Sequence, residues 1–211
     1  MLNGFLITRP EHDKVTFYLS TWMGETRNYA AERGIKIIDL KGADATKANF
    51  ESYITKGPEI NFVVFNGHGN DTTVTGHNNE TIVSVGINEH LLAHKIVYSI
   101  SCSSAKVLGE KSVEAGALAY VGYKDSFTFY HLNKDKPLQD KVAELFLTHA
   151  VKFIQYIINS NTVEDAFNKS KKALGDTLFK AIMEKLDSNI ISALWQDYQG
   201  FIINSHNLEI S

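Results

Sequence analysis

The chain has 211 residues, a formal net charge of −3 and 44% apolar residues. That length fits one generous domain or two small ones, with ample material for a core. The mild charge gives no bulk electrostatic case for nucleic acid or an anionic membrane as partner.

Cys102 is the one cysteine. It cannot form an internal disulfide, which suits a reducing compartment such as the cytoplasm. The opening MLNGFLITRP carries no basic leader and too short an apolar run for a signal peptide. No apolar stretch is long enough to span a bilayer. Repeats, low-complexity tracts and Pro-rich linkers are absent, so a single domain over 1–211 is expected.

Strand and helix alternate along the chain. GFLIT at Gly4–Thr8 reads as a first strand, stopped at Arg9-Pro10. Asp13 to about Glu32 is helical in pattern, with Gly34 as its stop. Ile35–Leu40 is a second strand, Asp44–Lys56 a helix ended by Gly57-Pro58, and Asn61–Asn66 a third strand. This order implies right-handed crossovers and a parallel sheet. TTVTG and TIVSVG, separated by HNNE, read as a short hairpin. Asn88 is positioned to cap a short helix through His94. Ile96–Ser101 is the fourth strand, Ser103–Ala115 a helix and Leu118–Val121 the fifth strand. Pro137–Ile158 and Val163–Leu186 are longer amphipathic helices, the second opened by Thr162 with Asp165 three residues on. A short helix at Ile190–Tyr198 and an edge strand at Gly200–Ile203 complete the chain. The expected fold is α/β: a three-layer sandwich on a mainly parallel sheet, strand order 2-1-3-4 followed by the fifth.

Two strands end in chemistry. NFVVFN runs into Gly67-His68-Gly69, and KIVYSIS runs into Cys102. Neighbouring strands of a parallel sheet meet at its carboxyl edge, where open α/β sheets place their ligands. A thiol beside an imidazole is the minimal machinery for nucleophilic catalysis. If the next helix starts at Ser103, its positive N-terminal end favours the thiolate of Cys102. The N–H groups of Gly69 and Cys102 are candidate oxyanion donors. His68 is the candidate general acid.

These residues resemble the caspase–hemoglobinase peptidases (clan CD), and CSSAKVLGEKSVEAGALAYVGY looks most like their gingipain-like and CHAT-domain members. The resemblance implies a caspase-like fold, a His68–Cys102 dyad, an oxyanion site at Gly69, and endopeptidase activity with no cofactor or metal in the chemistry. The Gln-Ala-Cys-x-Gly of caspases and the Cys-x-Ser-Gly of legumains are absent. The 34-residue step from His68 to Cys102 is shorter than the roughly 50 of caspases. Substrates would be proteins or peptides, with room for a regulatory partner protein.

Other readings stand beside this one. Asp125, just after the fifth strand, would select Lys or Arg in a substrate; Arg9 would instead select acidic residues. His90 and His94, four apart, would share a helix face as a metal pair. Asp71 reads as a loop residue, and Lys169, Lys171 and Lys172 as a solvated helix face. The same fold also serves as a catalytically silent scaffold. FNGHGN could alternatively approach a phosphate, although neither G-x-G-x-x-G nor a P-loop is present.

Overall fold

A computed structural model describes residues 2, 4–57, 59–132 and 135–206. Met1 of the opening segment and Pro58 of the predicted helix stop lie outside these residues. The strands are β1 (Gly4–Arg9), β2 (Lys36–Lys41), β3 (Phe62–Asn66), β4 (Gly69–Asn70), β5 (Thr73–Thr75), β6 (Thr81–Ser84), β7 (Ile96–Ile100), β8 (Ala119–Tyr123) and β9 (Phe201–Ser205). The helices are α1 (Lys14–Ala31), α2 (Lys47–Lys56), α3 (Leu108–Glu114), α4 (Lys141–Ile158), α5 (Val163–Met183) and α6 (Ser188–Gly200).

Six strands form the central sheet in the order β2-β1-β3-β7-β8-β9. All neighbours are parallel except β9, which closes the edge antiparallel to β8. This is the predicted order, with the predicted last strand at the edge.

The central strands are apolar throughout because both faces are covered. Phe62 and Val64 of β3 point into one core with Phe5, Ile7, Tyr98 and Val121, under α1, α4, α5 and α6. Val63 and Phe65 alternate into the other core with Leu6, Val97 and Tyr120, against Phe50 of α2 and Leu108 and Val113 of α3. The three layers follow from that two-residue period. β4, β5 and β6 make a small antiparallel sheet whose Val74, Ile82 and Val83 extend the second core. Among the described residues no helix is long and apolar enough to cross a membrane.

Two helix expectations need correction. Asn88 does not cap a helix through His94. Its side chain accepts from Ser84 N–H and donates to Ile82 O and Glu51, the single turn ends at Leu92, and His94 has φ 62°. The helix after β7 starts at Leu108 rather than Ser103. Ser103 has φ 55°, and the intervening turn is tied to the end of β8 by Ser103 N–H to Asp125 O (2.9 Å) and Ala105 N–H to Tyr123 O (3.0 Å).

Candidate active site

β3 and β7 pair with a constant offset, from Phe62↔Ile96 to Asn66↔Ile100. That offset, 34 residues, equals the spacing from His68 to Cys102. His68 and Cys102 therefore each stand two residues past the last paired position, at the carboxyl edge of the sheet. Backbone bonding continues there, with Gly67 N–H donating to Ile100 O at 3.4 Å.

Both glycines around His68 have a packing reason. Gly67 has φ 151°, and a Cβ there would stand 3.0 Å from Pro10 Cγ and 3.1 Å from Thr75 O. A Cβ on Gly69 would meet Ser101 Cβ and Thr73 O, each at 2.9 Å, and Cys102 O at 3.4 Å. The segment after His68 thus lies directly on the segment that carries Cys102. Thr75 N–H donates to His68 O (2.9 Å) across the Gly69↔Val74 pair. That makes it a non-hydrogen-bonded pair, whose Gly69 N–H points off the ladder. We expect Gly69→Ala to push the two segments apart, costing about 1–3 kcal/mol of stability and roughly a hundredfold in any activity that joins His68 to Cys102. Urea unfolding and peptide hydrolysis would check this; an unchanged protein would mean the close approach is unimportant.

His68 has a partner that sequence reasoning missed. Its Nε2 lies 2.6 Å from Oδ2 of Asp13. Asp13 is the N-cap of α1, and its other oxygen, Oδ1, accepts from Thr16 N–H at 2.8 Å. Burial pushes this carboxyl up, but the Thr16 N–H and His68 outweigh it and hold the pKa at about 2. The carboxylate only accepts, so His68 Nε2 is the donor of this bond. Asp13 was legible only as the start of the helix; its contact with a residue 55 positions away was not.

Cys102 is half-buried, and its thiol faces Phe127 O at 3.7 Å. Phe127 is held next to Thr128, whose N–H donates to Asp197 of α6 at 3.1 Å. Burial pushes the Cys102 thiol above its ordinary value. The expected helix N-terminus is not there to oppose this, because α3 starts six residues later. The resting cysteine is a thiol.

The remaining candidates separate. Asp125 is exposed, and its backbone O accepts from Ser103 N–H next to Cys102. Arg9 is 4% exposed and fully engaged. Its Nε and an Nη hold the two oxygens of Asp39 at 2.8 and 2.6 Å, and its other Nη donates to Ser20 O and Oγ. This bidentate pair removes Arg9 as a substrate selector. His90 and His94 are both exposed, and no helix face joins them. Asp71 pairs with Lys106 at 2.8 Å on the surface.

No protein-family model matches the sequence, and no curated protein does. Two solved structures share the architecture over 99% of this chain, each with a TM-score of 0.62. One is a complex of the pro- and mature domains of Porphyromonas gingivalis RgpB, at 9% identity; the other is the Arg-specific cysteine proteinase gingipain R (RgpB), at 8%. The chain has a caspase–hemoglobinase-like fold. It spans about half the length of the two chains it matches, 48% and 47%. Within this caspase–hemoglobinase-like sheet, His68 and Cys102 follow adjacent central strands, β3 and β7.

Proposed function

We propose that the chain is a cysteine endopeptidase that works through His68 and Cys102. The observation that carries this reading is the β3–β7 register, which puts each residue two positions past the last pair at the carboxyl edge, in a fold shared with a cysteine proteinase. The sulfur of Cys102 attacks the scissile carbonyl carbon as its proton passes to His68 Nδ1. The oxyanion is met by the N–H groups of Gly69 and Cys102. His68 then protonates the leaving amine, and a water it deprotonates hydrolyses the thioester. Asp13 keeps the imidazole in the tautomer this sequence needs, as the third group of a triad does.

Burial raises the pKa of the Cys102 thiol, so proton transfer accompanies attack. Labelling of Cys102 by a small electrophile should accordingly be slow at neutral pH and rise with pH.

Specificity for basic residues is part of the proposal. Asp125 supplies an acidic group beside the turn that carries Cys102, and one of the matched structures is described as Arg-specific. Digestion of a peptide library should show cleavage after Lys or Arg. Asp125→Ala should reduce that preference by roughly two- to fivefold, the scale of one solvent-exposed ion pair. Equal cleavage of basic and acidic peptides by the unmodified chain would rule Asp125 out. A protein partner that regulates access fits the same reading, since the other matched structure pairs a pro-domain with the mature domain.

A further inference from the structure

Asp13 is the centre of more than a His68 contact. His12 Nε2 lies 3.6 Å from the same Oδ2 that His68 Nε2 approaches at 2.6 Å. One donor atom from each of His12, Asp13 and His68 lies within 4.8 Å of the others. A third ring joins this group. His77 packs edge-on against His12 with centroids 5.5 Å apart, and His12 packs likewise against His68 at 5.9 Å. Capping α1 and orienting His68 need Asp13 alone. Those roles do not account for the His12 and His77 rings, although His12 Nε2 also faces Asn79 Oδ1 at 3.2 Å. Nδ1 of His12 and Nδ1 of His77 are both shut from solvent without a hydrogen-bond partner.

We propose that His12, Asp13 and His68 form a binding site for a divalent transition-metal ion of the zinc class. Ligand bonds of about 2.0–2.2 Å in a tetrahedron separate ligand atoms by roughly 3.3–3.5 Å. The observed separations of 2.6 and 3.6 Å bracket that value, so small side-chain rotations open the site. Two imidazoles and one carboxylate suit zinc, and they are too rich in nitrogen for calcium or magnesium. Three protein ligands leave the fourth position to water. The ligands are also fixed in place. His12 and Asp13 are consecutive, Thr16 N–H holds the far oxygen of Asp13, and Gly67 and Gly69 set the turn under His68.

The consequence for chemistry follows from the protons, and it rests on the reading of His68 as the acid–base group. Zinc takes the Nε2 lone pair of His68, and the ring's proton moves to Nδ1. The coordinated ring then has no lone pair left to accept a proton from the thiol or from water. The metal is an inhibitor of the peptidase, outside its chemistry.

The test is a zinc titration of the purified chain against a chromogenic chelator, with cobalt(II) as a spectroscopic stand-in. One equivalent of zinc should bind. His12→Asn should weaken binding on the order of a hundredfold, while Cys102→Ala should leave it unchanged. Cobalt should give tetrahedral bands without a thiolate charge-transfer band. Equal affinity in His12→Asn would overturn the site. So would loss of binding in Cys102→Ala with a thiolate band in the unmodified chain, which would put the metal between Cys102 and His68. The cobalt spectrum decides even if His12→Asn fails to fold. None of these readouts needs hydrolysis, so failure of the peptidase reading and failure of the metal site are seen separately. If both hold, zinc should suppress peptide cleavage at the concentration that fills the site, and a chelator should restore it.

Discussion

Cys102→Ala is expected to abolish peptide hydrolysis while leaving the fold intact. The change removes the nucleophile and little volume, at a half-buried position. His68→Ala should cost nearly as much, because attack then lacks its base and the leaving amine its acid. In other acyl-transfer enzymes such losses run to a thousandfold or more, on the order of what is expected here. The two residues act as one unit, so the double variant should be little worse than either single one. Hydrolysis of a peptide pool by the three variants checks this, with circular dichroism as the control for folding. Cleavage that persists in Cys102→Ala would place the activity elsewhere. A chain that never cleaves peptides, with Cys102 still reactive, would favour the silent scaffold.

A second large effect concerns acid. His149 of α4 is 3% exposed, with Nε2 at 2.9 Å from the hydroxyl of Tyr123 and Nδ1 unpartnered. The hydroxyl and the ring share this hydrogen bond, and the ring is neutral. Burial pushes the pKa of His149 from 6.5 down to about 3. Between those values the unfolded chain binds a proton that the folded chain refuses. Stability contributed by the neutral ring is complete above about pH 6.5 and is lost as the pH falls toward 3. At 1.36 kcal/mol per unit the full loss is roughly 4–5 kcal/mol. His149→Gln keeps an acceptor for Tyr123 and cannot titrate. Urea unfolding at pH 7, 5.5 and 4.5 should show a shallower decline for Gln than for His. Parallel declines would mean that His149 is open to protonation in the folded chain.

The strands were legible because their cause is local. FVVFN and IVYSI are apolar at every position, and only a sheet covered on both faces uses such runs. The adjacency of the strands that lead to His68 and Cys102 was implicit in their order. What the sequence concealed depends on which strand lies beside which. Asp13 reaches His68 because β1 and β3 are neighbours. Arg9, read from the sequence as a selector of acidic residues, is taken up instead by Asp39, which β2 brings alongside β1. The helix expected at Ser103 was lost to backbone bonds with β8, which no property of Ser103, Ser104 or Ala105 announces. His12 and His77 met for the same reason. Gly76 sits so close to Ala45 that a Cβ would stand 2.0 Å from its carbonyl oxygen, and this contact draws His77 inward, with its N–H on that same carbonyl at 2.8 Å.

The equality between chain spacing and strand offset carries an evolutionary corollary. The register that places His68 and Cys102 is set by hydrogen bonds between β3 and β7. Of the stretch between them, Thr73–Thr75 is held against His68 and Gly69, while its outer turns do not enter that setting. Insertions in its exposed turns, such as the one at Gly86, would change the number of residues between the pair and nothing about where they emerge. Deleting one residue inside Ile96–Ile100 is another matter. Every side chain on one side of the cut would turn to the opposite face, and the thiol would leave the edge on the wrong side. Length can drift in the connection; parity cannot drift in the strand.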